Sequence, residues 1–307
     1  MNDLRPATPP AVPVLADVTA RLRLIRTVSQ QRRYKGRPTP TLPSKRIVDD
    51  IVQDTVGLLY PRHFGPEGLT AADTDGFVAR NLASVMTRLA QQVRLELLLA
   101  EDAREGQCSE KAAAIAQDFV QGLVRVRDIH DTDIGAAYDS DPSARSLDEI
   151  IFCFPGSAAI LRHRIAHDIH RLGAPMLARI MAELSHSRTA IDIHPGAQIG
   201  PAFFIDHGTG VVIGETARIG RNVRLYQNVT LGAKRFEADE NGVLIKGQPR
   251  HPVVEDDVVI YAGATVLGRI TIGKGSVIGG GVWLTRSVMA GSVVSQANAQ
   301  LEGPPAP

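Results

Sequence analysis

An apolar residue recurs every six positions through the last third of this 307-residue chain. Ile193, Ile199 and Ile205 set the period, and after one eight-residue step Ile213, Ile219, Leu225 and Leu231 continue it. A long interruption follows, and Val254, Ile260, Val266, Ile272, Ile278 and Leu284 take it up again. Small or β-branched residues stand four places after many of these: Ala197, Ala217, Val223, Val229, Val258, Ala264, Ile270, Ser276 and Val282. An α-helix repeats its face about every 3.6 residues and a strand about every second one, so neither produces this pattern. A three-sided parallel β-helix does, with one apolar residue turned inward on each face. Roughly three hexapeptides close one coil, so the stretch from 191 to 294 makes roughly five stacked coils, none able to bury its inner face alone.

Gly200, Gly214, Gly220, Gly268, Gly273 and Gly279 fall at the expected corners of the coils, where glycine reaches a positive φ without steric cost. The interruption between Leu231 and Val254 carries Lys234, Arg235, Glu237, Asp239, Glu240, Asn241, Gly242, Lys246 and Gly247. It is expected to be extruded as a loop over residues 232–253, and long loops on rigid scaffolds tend to carry function.

The rest of the chain divides by its pattern. Residues 1–43 are proline-rich with a basic cluster at Arg32, Arg33 and Lys35, and read as a flexible arm with a short helix near Val14–Gln30. Residues 44–190 show helical periodicity. Ser44 is the expected N-cap of a first helix, Asp73 or Asp75 opens a long second one, and Ser109 a third. Further helices are expected over Gly156–Leu172 and Ala174–Ser187, with Cys153 a buried small hydrophobe before them. Residues 295–307 form a tail. His163, His167 and His170 lie along one helix, but H-E-x-x-H is absent, so they read as packed histidines and no metal is expected.

Charge and cysteine content narrow the setting. A formal net charge of +1 gives no electrostatic case for nucleic acid or an anionic membrane. Cys108 and Cys153 are far apart and outside any C-x-x-C pattern, which argues for a reducing, cytoplasmic compartment. No long apolar run offers a membrane span, and the N-terminus lacks the apolar stretch of a signal peptide.

Chemistry-bearing residues concentrate where the six-residue beat is missed. Asp192 and His194 precede one coil, Asp206 and His207 occupy the eight-residue step, and Arg250 and His251 stand where the long interruption ends. A histidine with carboxylates at hand suits a general base, the carboxylate fixing its tautomer.

These strings resemble serine O-acetyltransferase. D-I-H-P-G-A-Q-I-G, I-D-H-G-T-G-V-V-I-G-E-T-A, V-T-L-G-A and R-H-P carry the resemblance, with D-P-S-A at Asp141–Ala144 and R-I-A-H at Arg164–His167 extending it upstream. The resemblance implies an α-helical domain followed by a left-handed parallel β-helix of hexapeptide repeats. It implies transfer of acetyl from acetyl-CoA to the hydroxyl of L-serine, with His207 as the base and Asp192 paired with it. Arg250 and His251 would bind the serine carboxylate side, and Asp141 and Asp206 its ammonium. Gly232, Ala233, Ala262 and Gly280 fall where the family lines the CoA groove, and a backbone N–H at Gly232 or Ala233 would meet the developing oxyanion. The family's sites lie between subunits of a trimer, and members are often inhibited by L-cysteine; the flat sides of the coils favour threefold packing, and the helical domain could pair trimers into hexamers, a trimer being the expectation.

Three departures stand beside the resemblance. The loop after Ala233 is long, as in a longer-loop branch. G-x-P-A-R is replaced by Ser295-Gln296-Ala297-Asn298, and the sequence ends Gly303-Pro304-Pro305-Ala306-Pro307 without a terminal isoleucine, so a tail-mediated complex with O-acetylserine sulfhydrylase is not expected. Alternatives are a hexapeptide acyltransferase for homoserine or another hydroxy amino acid, a sugar or an antibiotic; a γ-class carbonic anhydrase using His194, His207 and His251; and a scaffold without catalysis.

Overall fold

The computed structural model describes residues 13–100, 103–235 and 238–296. Glu237, Ala297, Asn298 and the final Gly303–Pro307 lie outside the described residues. The chain forms two units, Met1–Leu42 and Pro43–Pro307. The first contains α1 (Pro13–Tyr34), longer than the expected Val14–Gln30. No glycine or proline interrupts it after Pro13, and Arg32 and Arg33 sit in its last turn, where cations complement the helix dipole.

The second unit begins with helices α2 (Lys45–Leu59), α3 (Pro61–Phe64), α4 (Ala71–Leu97), α5 (Glu105–Ser140), α6 (Leu147–Cys153), α7 (Pro155–Arg171) and α8 (Pro175–Thr189). Ser44 caps α2 as the sequence indicates, its side chain accepting from the Ile47 N–H. The start of α4 differs: Thr70, not Asp73 or Asp75, supplies the cap and accepts from the Asp73 N–H at 3.3 Å. The third long helix starts at Glu105, four residues before Ser109, whose hydroxyl bonds back to the Glu105 carbonyl at 2.9 Å. Such back-bonding satisfies an interior serine and removes its capping role. Cys153 is exposed, not buried, because Ile150 is the residue of α6 that faces the core.

From Asp192 the chain winds into short strands. The first coil holds β1 (Asp192–Ile193), β2 (Gln198–Ile199) and β3 (Phe204–Ile205), and the second β4 (Val212–Ile213), β5 (Arg218–Ile219) and β6 (Arg224–Leu225). The third holds β7 (Thr230–Gly232), β8 (Val253–Val254) and β9 (Val259–Ile260). Above it lie β10 (Thr265–Leu267), β11 (Thr271–Ile272) and β12 (Val277–Ile278), then β13 (Trp283–Leu284) and β14 (Val293–Val294). Parallel pairing makes three faces: β1-β4-β7-β10-β13, β2-β5-β8-β11 and β3-β6-β9-β12-β14. This is a left-handed parallel β-helix. The six-residue set lies inside it, with Ile193, Ile213, Leu231, Val266 and Leu284 buried down the first face.

The corner glycines serve a different purpose from the one expected. Of the six, only Gly268 has a positive φ, at 94°. At Gly200 a Cβ would lie 2.6 Å from the Gly220 carbonyl oxygen, and at Gly273 2.3 Å from the Ala290 nitrogen. Close stacking of coils excludes the side chain, while Asn222, Asn228 and Asp257 adopt the left-handed turns.

A buried ion pair joins the helices to the first coil. Arg164 of α7 donates from Nε and Nη2 to Asp133 of α5 at 2.6 and 2.7 Å, and from Nη1 and Nη2 to the carbonyls of Ile199 and Gly200. Asp133 also accepts from the Phe203 N–H at 2.9 Å, and the neighbouring Thr132 hydroxyl from the Ala202 N–H. A second buried group, His130, has its Nδ1 2.5 Å from the Tyr60 hydroxyl and its Nε2 3.1 Å from the Ser157 carbonyl.

Burial pushes His130 down to about 4. Its neutral form is favoured in the folded state, so its contribution is complete above the unfolded value near 6.5 and is lost as pH falls toward 4. This residue alone removes on the order of 2 kcal/mol at pH 5. Thermal melts should show a lower Tm at pH 5 than at pH 7.5, and His130→Asn should flatten that dependence; an unaltered pH slope in the variant would refute the assignment.

Candidate active site

The prism places the sequence-predicted residues at two of its corners. Asp206 and His207 follow β3, at the corner between the third and first faces, where the two extra residues of the eight-residue step are accommodated. His207 takes φ +56°, followed by Gly208 at +88° and Gly210 at +76°. A Cβ at Gly208 would meet the Ile191 side chain at 2.4 Å, so the turn lies tightly on the start of β1, next to Asp192. The His207 side chain is 72 % exposed, with Nδ1 3.9 Å from Asp206 Oδ1. No hydrogen bond or ion pair joins Asp192 to His207 among the described residues. Ala262 and Gly280 share this corner two and three coils beyond the His207 turn; a Cβ at Gly280 would lie 3.2 Å from the Ala262 carbonyl oxygen. Asp141 is the C-cap of α5, the helix whose Thr132 and Asp133 hold Ala202 and Phe203 just before β3.

Gly232, Ala233, Arg250 and His251 occupy the other edge of the first face, at its corner with the second. Gly232 has a packing reason of its own, since a Cβ there would meet the Leu267 side chain at 2.8 Å. Arg250 Nη2 donates to Glu215 Oε2 at 2.5 Å. Burial alone would raise the Glu215 carboxyl, but the Arg250 hydrogen bond and the positive surroundings outweigh it and hold it below the usual range. His251 is buried, its ring lying against Gly214, where a Cβ would fall 2.0 Å from Cδ2. Desolvation, with Arg250 nearby, pushes its imidazole down to about 4, so it is neutral at physiological pH. Within one chain the two groups stand at opposite edges of the first face. The histidines of the carbonic anhydrase alternative do not gather either, because His194 and His251 lie at one corner and His207 at the other.

One residue that sequence reasoning missed organises the second corner. The Thr216 hydroxyl accepts from the backbone N–H of Arg250 at 2.9 Å and of His251 at 3.1 Å, and lies 2.9 Å from His251 Nδ1. The Thr216 N–H donates to the same Nδ1 at 3.0 Å. Since a backbone N–H can only donate, Nδ1 is the acceptor and the ring proton sits on Nε2. Arg269 closes the corner, donating from Nη1 to the carbonyls of Thr216 and His251.

Comparison with known proteins decides the family. Residues 251–286 match the family model of the bacterial transferase hexapeptide (six repeats). The plasmid-borne serine acetyltransferase of Synechococcus elongatus is 55 % identical over 262 residues, which is 83 % of this chain and 82 % of that protein. The chain belongs to the serine acetyltransferase family. The Bacillus subtilis serine acetyltransferase is 50 % identical over 149 residues, 48 % of this chain and 64 % of its own length. The crystal structure of Entamoeba histolytica serine acetyltransferase 1 in complex with L-cysteine superposes with a TM-score of 0.71 at 36 % identity, covering 83 % of this chain and 88 % of that one. This chain is accordingly an acyltransferase of serine, an activity of cysteine biosynthesis.

Thr216→Val strips the corner of its shared acceptor and removes one of the two Thr216 contacts to His251 Nδ1 while keeping the volume. It should lower kcat/KM for serine about 10- to 100-fold, consistent with loss of roughly 1.4–2.8 kcal/mol of positioning. Thr216→Ser should retain most of the activity; wild-type kcat/KM in the valine variant would remove Thr216 from the site.

Proposed function

We propose that the active site is assembled from the His207 corner of one subunit and the Arg250 corner of its neighbour. It then transfers acetyl from acetyl-CoA to the L-serine hydroxyl, giving O-acetylserine and CoA. The observation that carries this reading is the division of groups: Asp192 and Asp206 at one corner, Arg250 (held by Glu215) and neutral His251 at the other. Serine is a zwitterion, and each corner alone offers only half of what it needs. The guanidinium fork suits the serine carboxylate, and the carboxylates of Asp141 and Asp206 suit its ammonium. His251 Nε2–H adds a neutral donor to the same ligand.

In this arrangement His207 takes the proton from the serine hydroxyl as its oxygen attacks the thioester carbon, and Asp192 steadies the imidazolium that forms. The C–S bond breaks as the acyl oxygen returns its charge, and CoA leaves as the thiol. A positioned base contributes about 10²–10⁴-fold to such a step, and the thioester needs no metal to activate it. The N–H of Gly232 or Ala233 would serve the oxyanion, and Ala262 and Gly280 would line the groove for the pantetheine arm.

The surface between the two corners supports a neighbour packed there. Down the outer side of the first face, beyond Asp192 at its start, run Val212, Thr230, Thr265 and Trp283, with Val212 38 % and Trp283 69 % exposed. An uncharged row with a projecting indole is suited to burial against another copy, and threefold closure gives a trimer. The helical unit would allow two trimers to pair. L-Cysteine, bound in the Entamoeba relative, differs from serine by sulfur for oxygen and is proposed to compete at this site. Two unpaired cysteines, Cys108 and Cys153, fit a cytoplasmic enzyme.

His207→Ala should cut kcat by at least 100-fold with the melting transition intact, whereas Arg250→Ala should chiefly raise KM for serine. Co-expressed and co-purified as mixed oligomers and assayed at serine well below the raised KM of Arg250→Ala, the two impaired variants should regain activity, since some interfaces then carry both intact corners. Mixed oligomers no more active than the separate variants would place the site within one chain.

A further inference from the structure

A cavity of about 620 Å³ lies among α2, α3, α4, α6 and α7, and none of its lining residues belongs to the His207 or the Arg250 corner. Small-molecule sites span roughly 300–1,000 Å³, so the space suits a ligand of modest size. Aromatic rings make up much of its wall. Phe64 and Phe152 meet edge to face with centroids 5.6 Å apart, and they remain 42 % and 57 % exposed. Phe77 of α4 lines the same space.

Most polar groups of the lining are already engaged. The Tyr60 hydroxyl lies 2.5 Å from His130 Nδ1, and His130 Nε2 lies 3.1 Å from the Ser157 carbonyl. Gln53 donates to Asp49 and Asn81 to the Phe77 carbonyl, while Asp54 accepts from Arg88 at 2.5 Å. Arg162 is the exception. Its Nη1 donates to the Ala158 carbonyl one turn back at 3.0 Å, its Nε is buried with no partner, and it makes no ion pair among the described residues. The carboxylate whose field reaches it, Asp49, is itself bonded to Arg188 at 2.7 Å. A guanidinium drawn partly out of water without a counter-ion is costly, and an anion placed beside it relieves that cost.

One unpaired cation among aromatic rings selects a ligand class. A phosphate would bring about two negative charges against a single positive one. A carboxylate brings one, and its two oxygens match the guanidinium fork. An amino acid would bring an ammonium as well, and the carboxylate in the lining that could answer it, Asp54, is held by Arg88. We infer that this cavity binds a small aromatic monocarboxylate without an amino group. Its carboxylate sits on Arg162 and its ring among Phe64, Phe77 and Phe152.

The test is photolabelling of the full chain with 4-benzoylbenzoate, with labelled peptides mapped by mass spectrometry. Label should fall within residues 53–81 and 151–162. Benzoate should displace it, and benzamide, the same ring without the charge, should not. Arg162→Gln should reduce this labelling by about 10-fold or more, the loss expected for a charge-assisted contact, and leave labelling elsewhere unchanged. Ala158→Leu narrows the cavity while keeping the arginine, and it should reduce the labelling too; this variant decides the matter if the glutamine variant does not fold. Absence of label from these two stretches overturns the inference, whether or not the cationic loop around Lys234 and Lys246 is labelled. Labelling that benzamide displaces as well as benzoate does, or that survives in both folded variants, overturns it equally.

Discussion

The pair of Asp133 and Arg164 holds the molecule's two kinds of structure together. Both side chains are almost wholly withdrawn from water, which is costly unless every donor and acceptor is met. Here the guanidinium is shared between a carboxylate on α5 and two carbonyls of the first coil, and the carboxylate also takes the Phe203 N–H. Removing either partner would leave the other buried and uncompensated, a loss of about 3–5 kcal/mol in such pairs. The consequence for function is positional. Phe203 leads into β3, and Asp206 and His207 follow β3, so one ion pair sets the register of both groups at that corner.

A prism imposes its own constraint on chemistry. Its inner side is filled by the six-residue set and its faces are too flat to enclose a ligand, so reactive groups are confined to corners. Two corners bounding one face cannot meet within a single chain. Arg250, lacking a substrate carboxylate in its own corner, is held by Glu215, which keeps the guanidinium oriented and partly neutralised. Among the described residues Asp192 and Asp206 have no arginine or lysine held in this way, and only the His207 ring lies near Asp206. The two corners thus differ in charge, which is why the proposed site draws on both.

The fold was readable because the β-helix has one inward residue per face, and Ile205, Ile213, Leu231 and Val254 mark even the two places where the repeat is stretched. What sequence left open has physical causes. Thr70 and Ser109 are both capping types, and only competition with other local acceptors decides which begins a helix. Gly200 looks like a turn residue but is required by the Gly220 carbonyl in the next coil, a contact no local pattern reveals. Thr216 was hidden inside a string that marked its neighbours. A signal for it existed: Arg218 pairs with Val253, so the same 35-residue offset stacks Thr216 on His251. Reading the repeat in three dimensions, with the loop removed, exposes the contact.

The interrupted beats are also where the scaffold tolerates change. The ladder passes the long insertion without a shift of register, with β5 pairing to β8 and β4 to β7 on either side of it. Lengthening a loop adds only about 0.6 kcal/mol of closure entropy per doubling, and the ends of this one are already fixed by the coil on which they stand. Thr216 then ties the returning backbone to the preceding coil through two N–H groups, so the loop's own conformation is uncoupled from the placement of Arg250 and His251. A corner built this way separates two demands that usually conflict. The groups proposed to bind serine belong to the prism, while the loop is free to vary in length and charge without disturbing them.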